Sequence, residues 1–244
     1  MIKVWSYIHM RVAAIVPSAG TGARLKSRIQ KPYITLGDKS ILAHTLIALS
    51  KNKNIAEIWV SVGKDKLNKA RKEIIEKYNI KKARLVIGGK ERNDSVYNAL
   101  KAVSGNIDYV LIHDGIRPFI TNELIETLLR EASKFKAAVT AVPVKPTLKF
   151  VGNDGFIKNT PLRKYFWEAQ TPQVFKKDLI EKAYKIARKK KIIATDDSSL
   201  VERIGVKPKI VMGSYSNIKI TTREDLELAK LIYANFTNRA WRHL

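Results

Sequence analysis

Apolar and polar positions fall along the chain in short alternating blocks. Residues 11–17 form a continuous apolar run of strand length, which reads as a strand buried on both faces. A glycine-containing stretch follows it. An amphipathic segment then opens at Ser40, a residue suited to capping a helix N-terminus. The order strand, loop, helix recurs. Ile55–Val62, Ala83–Ile87 and residues 109–113 and 137–142 predict strands, and residues 65–78, 93–103 and 121–135 predict helices. Buried strands alternating with helices imply a mostly parallel sheet covered on both sides. The expected fold class is α/β, a Rossmann-like three-layer sandwich.

Between residues 144 and 166 this rhythm breaks. Pro146, Gly152, Asn153, Asp154, Gly155 and Pro161 punctuate short extended pieces such as 148–151, which reads as a β-arm projecting from the domain. Helical periodicity returns in residues 177–190, 198–204 and 222–235, with Lys209–Met212 as a late strand. No internal repeat or linker interrupts the pattern, so the 244 residues read as one domain. Residues 1–9 read as a disordered extension before the fold, with Met1 and Met10 both candidate starts.

Composition changes this picture in two ways. The absence of cysteine excludes disulfides, thiolate metal sites and a thiol nucleophile, and four histidines leave little for imidazole ligation. No metal ligand cluster is expected. No apolar run approaches the roughly 18 residues of a membrane span, and the first ten residues lack the apolar core of a secretory signal. A cytoplasmic location without membrane contact is expected. The formal charge of +24 suits an anionic partner, whether nucleic acid, lipid surface or phosphorylated small molecule. Most of the lysine between residues 64–82 and 176–191 reads as solvated helical face. Lys189-Lys190-Lys191 is too short for a nucleic-acid arm, and a non-catalytic nucleic-acid-binding protein is the remote alternative.

The candidate chemistry begins directly after the first strand. In Pro17-Ser18-Ala19-Gly20-Thr21-Gly22-Ala23-Arg24, small residues would let backbone N–H groups approach phosphates at the carboxyl edge of a parallel sheet. Gly20 and Gly22 lack the third glycine of a dinucleotide fingerprint, and no Gly-Lys-Ser/Thr marks a Walker loop. Two cations, Arg24 and Lys31, follow within reach of a triphosphate.

This loop and Lys31-Pro32 resemble the signature of sugar- and polyol-phosphate nucleotidyltransferases. Five further segments occur in order: Gly88-Gly89-Lys90-Glu91-Arg92-Asn93-Asp94-Ser95, His113-Asp114-Gly115-Ile116-Arg117-Pro118, Gln170-Thr171-Pro172-Gln173, Thr195-Asp196-Asp197 and Asn217-Ile218-Lys219. Together, over residues 11–236, they resemble the 2-C-methyl-D-erythritol 4-phosphate cytidylyltransferases of the non-mevalonate isoprenoid pathway. The ribitol 5-phosphate cytidylyltransferases share the loop, both cations and the Thr-Pro-Gln motif, and are the alternative.

The resemblance implies a role for each matched position. Arg24 and Lys31 would stabilise the transition state at the α-phosphate, with Lys219 as a third cation. Pro17, Ser18, Ala19, Gly20, Thr21 and Gly22 would hold triphosphate and ribose. Gly88, Gly89 and Ser95 would hold the cytosine, and Asp114 and Gly115 would line the nucleotide. Arg117, Thr147, Arg163 and Thr195 would contact the polyol phosphate. Thr147 and Arg163 would act from a neighbouring subunit, making a homodimer through the 144–166 arm. Mg2+ or another divalent cation would accompany CTP. Asp196 and Asp197 equally suit the first turn of a short helix, and His113, ending an apolar strand, reads as a packed histidine.

Overall fold

The computed structural model describes residues 10–20, 30–192 and 194–237. Thr21, Gly22 and Arg24, and the extension expected over residues 1–9, therefore lie outside the described residues.

A seven-stranded sheet organises the chain. β1 (Val12–Pro17) lies near its centre, flanked by β4 (Ile55–Val62) and β6 (Tyr109–Ile112), both parallel to it. β5 (Ala83–Ile87) forms one edge beside β4. On the other side the order runs β6, β10 (Trp167–Lys176), β7 (Ala137–Pro143) and β11 (Lys209–Met212). β10 is antiparallel to both neighbours, so the other six strands share one direction. Two short pairs stand apart: β2 (Thr35–Leu36) with β3 (Lys39–Ser40), and β8 (Phe150–Val151) with β9 (Ile157–Asn159).

Alternation along β1 shows how the layers divide. Val12, Ala14 and Val16 pack with α1 (Ile41–Ser50) and α4 (Asn122–Phe135), whereas Ile15 joins α3 (Arg92–Leu100) and α5 (Lys177–Lys189) on the opposite face. Both faces are dry, hence the unbroken apolar runs. Ser40 caps α1 by accepting the Ala43 N–H, and Thr121 caps α4 by accepting that of Leu124. α4 ends at Lys136 in the left-handed conformation. Residues 65–78 are helical but irregular: an α-helical turn, α2 (Leu67–Ala70), widens into a π segment, Arg71–Glu76. The chain closes with α6 (Asp197–Glu202) and α7 (Arg223–Thr237).

Two findings go beyond the periodicity. β10 sits in the middle of the sheet although the apolar pattern predicts no strand over residues 167–176. Its pairing with β7 is irregular between Ala169 and Gln173, which accommodates a proline that a regular central strand would reject. Within residues 144–166 the short extended pieces pair as β8 with β9, and the segment is otherwise irregular. It carries Phe150, Phe156, Ile157, Leu162 and Tyr165 exposed to solvent.

Candidate active site

The carboxyl ends of β1, β4, β5 and β6 meet at one edge of the sheet, and the candidate residues gather there. Ser18 N–H donates to the Ser61 carbonyl at 2.8 Å, holding the start of the glycine loop against β4. Ser18 is buried, and its hydroxyl has no partner among the described residues. Beyond it Ala19 and Gly20 emerge toward solvent, before the loop passes outside the described residues.

Two glycines make this packing possible. A Cβ on Gly88 would collide with the Ala19 methyl, and one on Gly115 would fall on the Ser18 hydroxyl. Their role is close approach of neighbouring loops rather than an unusual backbone angle. Gly89 N–H donates to Ser95 Oγ at 3.0 Å, and that hydroxyl donates to the Glu91 carbonyl at 3.1 Å. Ser95 thus closes the turn into α3, where Glu91 and Asp94 form a reciprocal cap.

Asp114, the residue after His113 at the end of β6, is the electrostatic centre. Its carboxylate is buried and lies 3.0 Å from Arg92 Nε, 2.9 Å from Lys219 Nζ and 3.7 Å from Arg117 Nε. Burial alone would raise its pKa, but Arg92 and Lys219, followed by Arg117, overcome that and hold it well below the usual carboxylate range. It stays ionised and serves no acid function.

Each cation reaches Asp114 by a different support. Arg117 is buried, and its Nη1 donates to the Asn217 carbonyl at 2.7 Å. Asn217 Nδ2 in turn donates to the Thr171 carbonyl at 2.8 Å and to Gln170 Oε1 at 3.2 Å. This fixes the backbone two residues before Lys219. Arg92 spans two carboxylates, its Nη2 lying 2.8 Å from Asp197 Oδ2. Asp197 is fully buried and also accepts from the Tyr184 hydroxyl.

Arg117, Lys219, Gln170, Glu168, Val142 and Tyr215 line part of a cleft of about 490 Å³ beside this cluster. Lys31 heads a buried helical turn, Lys31–Tyr33. Thr195 is exposed just before α6. Thr147 and Arg163 are exposed within residues 144–166, where Arg163 Nη1 donates to the Lys145 carbonyl.

Arg92 was not singled out from sequence, yet it is the most connected cation here. A signal existed: arginine in the first turn of a helix opposes the helix dipole, a local conflict that implies a use elsewhere. Of the two adjacent acids, Asp196 does cap α6, accepting the Ser199 N–H at 3.0 Å, whereas Asp197 belongs to the ion-pair cluster.

With a buried carboxylate holding cations beside an open cleft, the site suits a substrate rich in phosphate. Comparisons with known proteins agree. The family model of 2-C-methyl-D-erythritol 4-phosphate cytidylyltransferase matches residues 12–235. A protein of that description from Clostridioides difficile is 47% identical over 90% of this chain and 92% of its own length. One from Caldanaerobacter subterraneus is 42% identical, covering 91% and 98%. Among solved structures, 4-diphosphocytidyl-2C-methyl-D-erythritol synthase from Anaerococcus prevotii superposes with a TM-score of 0.83 at 36% identity, over 93% of this chain and 99% of that one.

Proposed function

The chain belongs to the 2-C-methyl-D-erythritol 4-phosphate cytidylyltransferase family, and from that premise we propose how its residues divide the reaction. The enzyme transfers the cytidylyl group of CTP to 2-C-methyl-D-erythritol 4-phosphate, giving 4-diphosphocytidyl-2-C-methyl-D-erythritol and pyrophosphate. An oxygen of the polyol phosphate attacks the α-phosphorus of CTP, and the bond to the bridging oxygen of the β-phosphate breaks. A phosphomonoester with a second pKa of about 6 is already an anion near neutrality, so no general base is required. The protein's task is alignment and positive charge.

The observation that carries the assignment is the Asp114 carboxylate shared by Arg92, Arg117 and Lys219 at the rim of the cleft. Lys219 and Arg117 would hold the attacking phosphate, and Arg24 with Lys31 would stabilise the charge developing at the α-phosphorus. The turn at Gly88, Gly89 and Ser95 would receive the cytosine, and the loop from Pro17 to Gly22 the ribose and triphosphate. Arg92 would keep Asp114 oriented from the nucleotide side.

Mg2+ would arrive bound to the triphosphate, since it commonly takes few protein ligands and keeps several waters. Among the described residues no three His, Cys, Asp or Glu side chains form a resident cation site; Asp114 is taken up by Arg92, Arg117 and Lys219, while Glu168 lines the cleft. When bound, such an ion would supply positive charge to the phosphate oxygens, adding to that of Arg24, Lys31 and Lys219.

The apolar arm supports a homodimer in which Thr147 and Arg163 reach the polyol phosphate of the other subunit. Mixing an Arg163→Ala subunit with a Lys31→Ala subunit should then regenerate some complete sites; verified heterodimers without recovered turnover would exclude sharing. The direct test of the reaction is pyrophosphate release from CTP and Mg2+ with methylerythritol phosphate and ribitol 5-phosphate in parallel. Turnover with the first alone is expected, and turnover only with ribitol phosphate would overturn the substrate.

A further inference from the structure

One buried imidazole at the site is left without a role by these assignments. His113 follows β6, is fully buried, and immediately precedes the turn from Asp114 to Arg117. That turn is closed by the Arg117 N–H donating to the Asp114 carbonyl at 3.1 Å. His113 Nε2 lies 2.9 Å from the Arg117 carbonyl oxygen. A carbonyl only accepts, so Nε2 carries the proton. In the neutral ring Nδ1 is then an acceptor, and its neighbour at 3.1 Å is the Thr171 hydroxyl, which must donate. Thr171 Oγ1 is free to do so because it also accepts, taking the Asp114 N–H at 3.0 Å.

The chain of bonds runs in one direction: Asp114 N–H to Thr171, Thr171 O–H to His113, His113 N–H to the Arg117 carbonyl. The other tautomer would set the bare Nε2 lone pair against that carbonyl and lose the bond that ties the ring to the turn. Burial also disfavours the cation, lowering the ring's pKa from 6.5 to about 4. The same Thr171 holds Asn217 through its carbonyl, and Asn217 holds the Arg117 guanidinium. His113 therefore completes a closed circuit through Thr171, Asn217 and Arg117. Packing alone would require no such circuit.

We propose that His113 is a positioning residue for cytidylyl transfer: as the Nε2-protonated imidazole it fixes the Asp114–Arg117 turn, and through it the placement of Arg117 and Asp114 relative to Lys219. It touches neither substrate. The inference rests on the reading of Arg117 and Lys219 as the groups that hold the polyol phosphate.

Two measurements test it. Nitrogen-15 NMR of histidine-labelled protein, assigned with a His113→Gln variant, should show one ring protonated at Nε2, bare at Nδ1 and unchanged down to about pH 5. An Nδ1-protonated ring, or one titrating near 6.5, overturns the proposal. Steady-state kinetics supply the second. His113→Leu removes both bonds, whereas His113→Gln keeps a donor for the Arg117 carbonyl. The leucine variant should lose on the order of 100-fold in kcat/KM for the polyol phosphate, the scale of a misplacement of about 1 Å. Its KM for CTP should move by less than about threefold, and glutamine should recover about tenfold of the loss.

A leucine variant that turns over the polyol phosphate within about twofold of wild type overturns the role. So does a glutamine variant no better than leucine, with both substrates affected alike. Should the leucine variant not fold, the glutamine variant against wild type and the NMR result decide the matter. Failure of wild type to release pyrophosphate with these substrates would instead sink the underlying reading, whatever the tautomer.

Discussion

Replacing Arg92 by methionine should expose how much stability the buried ion cluster contributes. Arg92 Nη2 sits 2.8 Å from Asp197 and its Nε 3.0 Å from Asp114. Asp114 would retain Lys219 and Arg117, but Asp197, fully buried, would keep among the described residues only the neutral hydroxyl of Tyr184 as a side-chain donor. Removing one partner of a buried pair costs about 3–5 kcal/mol, and with Asp114 still compensated the lower end applies, about 3 kcal/mol. For a domain of this size that is a fall in Tm of roughly 6–12 °C. Urea is the appropriate denaturant because, unlike guanidinium, it adds no ions that screen the cluster. Asp197→Asn removes the charge while keeping an acceptor for Tyr184. If the pair is coupled as its geometry implies, the double variant should be more stable than the summed single losses predict, by about 2 kcal/mol. A coupling below about 0.5 kcal/mol would refute the reasoning, because the two charges would then be energetically independent.

Three further outcomes follow from the same site. Lys219→Ala should leave urea unfolding nearly unchanged and lower kcat/KM for pyrophosphate release by about 100- to 1,000-fold; near-normal turnover would remove it from the machinery. Gly115→Ala should overpack against the Ser18 hydroxyl at a cost of about 1–3 kcal/mol, and adding Ser18→Ala should return most of it, as read by thermal unfolding. His113 binds its proton more weakly when folded, with a pKa of about 4 against 6.5, because its burial outweighs the opposing hydrogen bond to Arg117 and the charge of Asp114, with the Arg117 charge adding to the fall. The unfolded chain therefore binds more protons between those values, and stability should decline by about 3 kcal/mol as pH falls from 7 to 4. Asp114 has the opposite charge but the same direction: its stabilisation is present above its ordinary pKa of 3.8 and is lost only in stronger acid. Unfolding curves for wild type and His113→Gln across that range should converge at low pH; parallel curves would contradict the assignment.

The layered fold was readable because strands buried on both faces leave apolar runs that few other structures produce, as in residues 12–16 and 58–62. Helix starts at Ser40 and Thr121 were legible for an equally local reason, their side-chain caps. β10 was not, because Gln170, Thr171 and Gln173 are buried polar residues whose partners come from distant segments: Asn217, His113 and Asp196. The segments of the site stood out as motifs, but their connections did not. Asp114 as the meeting point of three cations, the link from Arg92 to Asp197 and the hydrogen bonds of His113 are tertiary facts, and sequence spacing carries no record of them.

The antiparallel strand also dictates a schedule for assembly on the ribosome. β1, β4, β5 and β6 are contiguous in the sheet and can pair as soon as residue 112 has emerged. β7, although complete by residue 143, has no neighbour among them, for its place beside β6 is separated by a strand that ends only at residue 176. Until then its apolar faces wait unpaired behind an exposed, aromatic arm, a stretch of synthesis in which the nascent chain is most open to association with other chains.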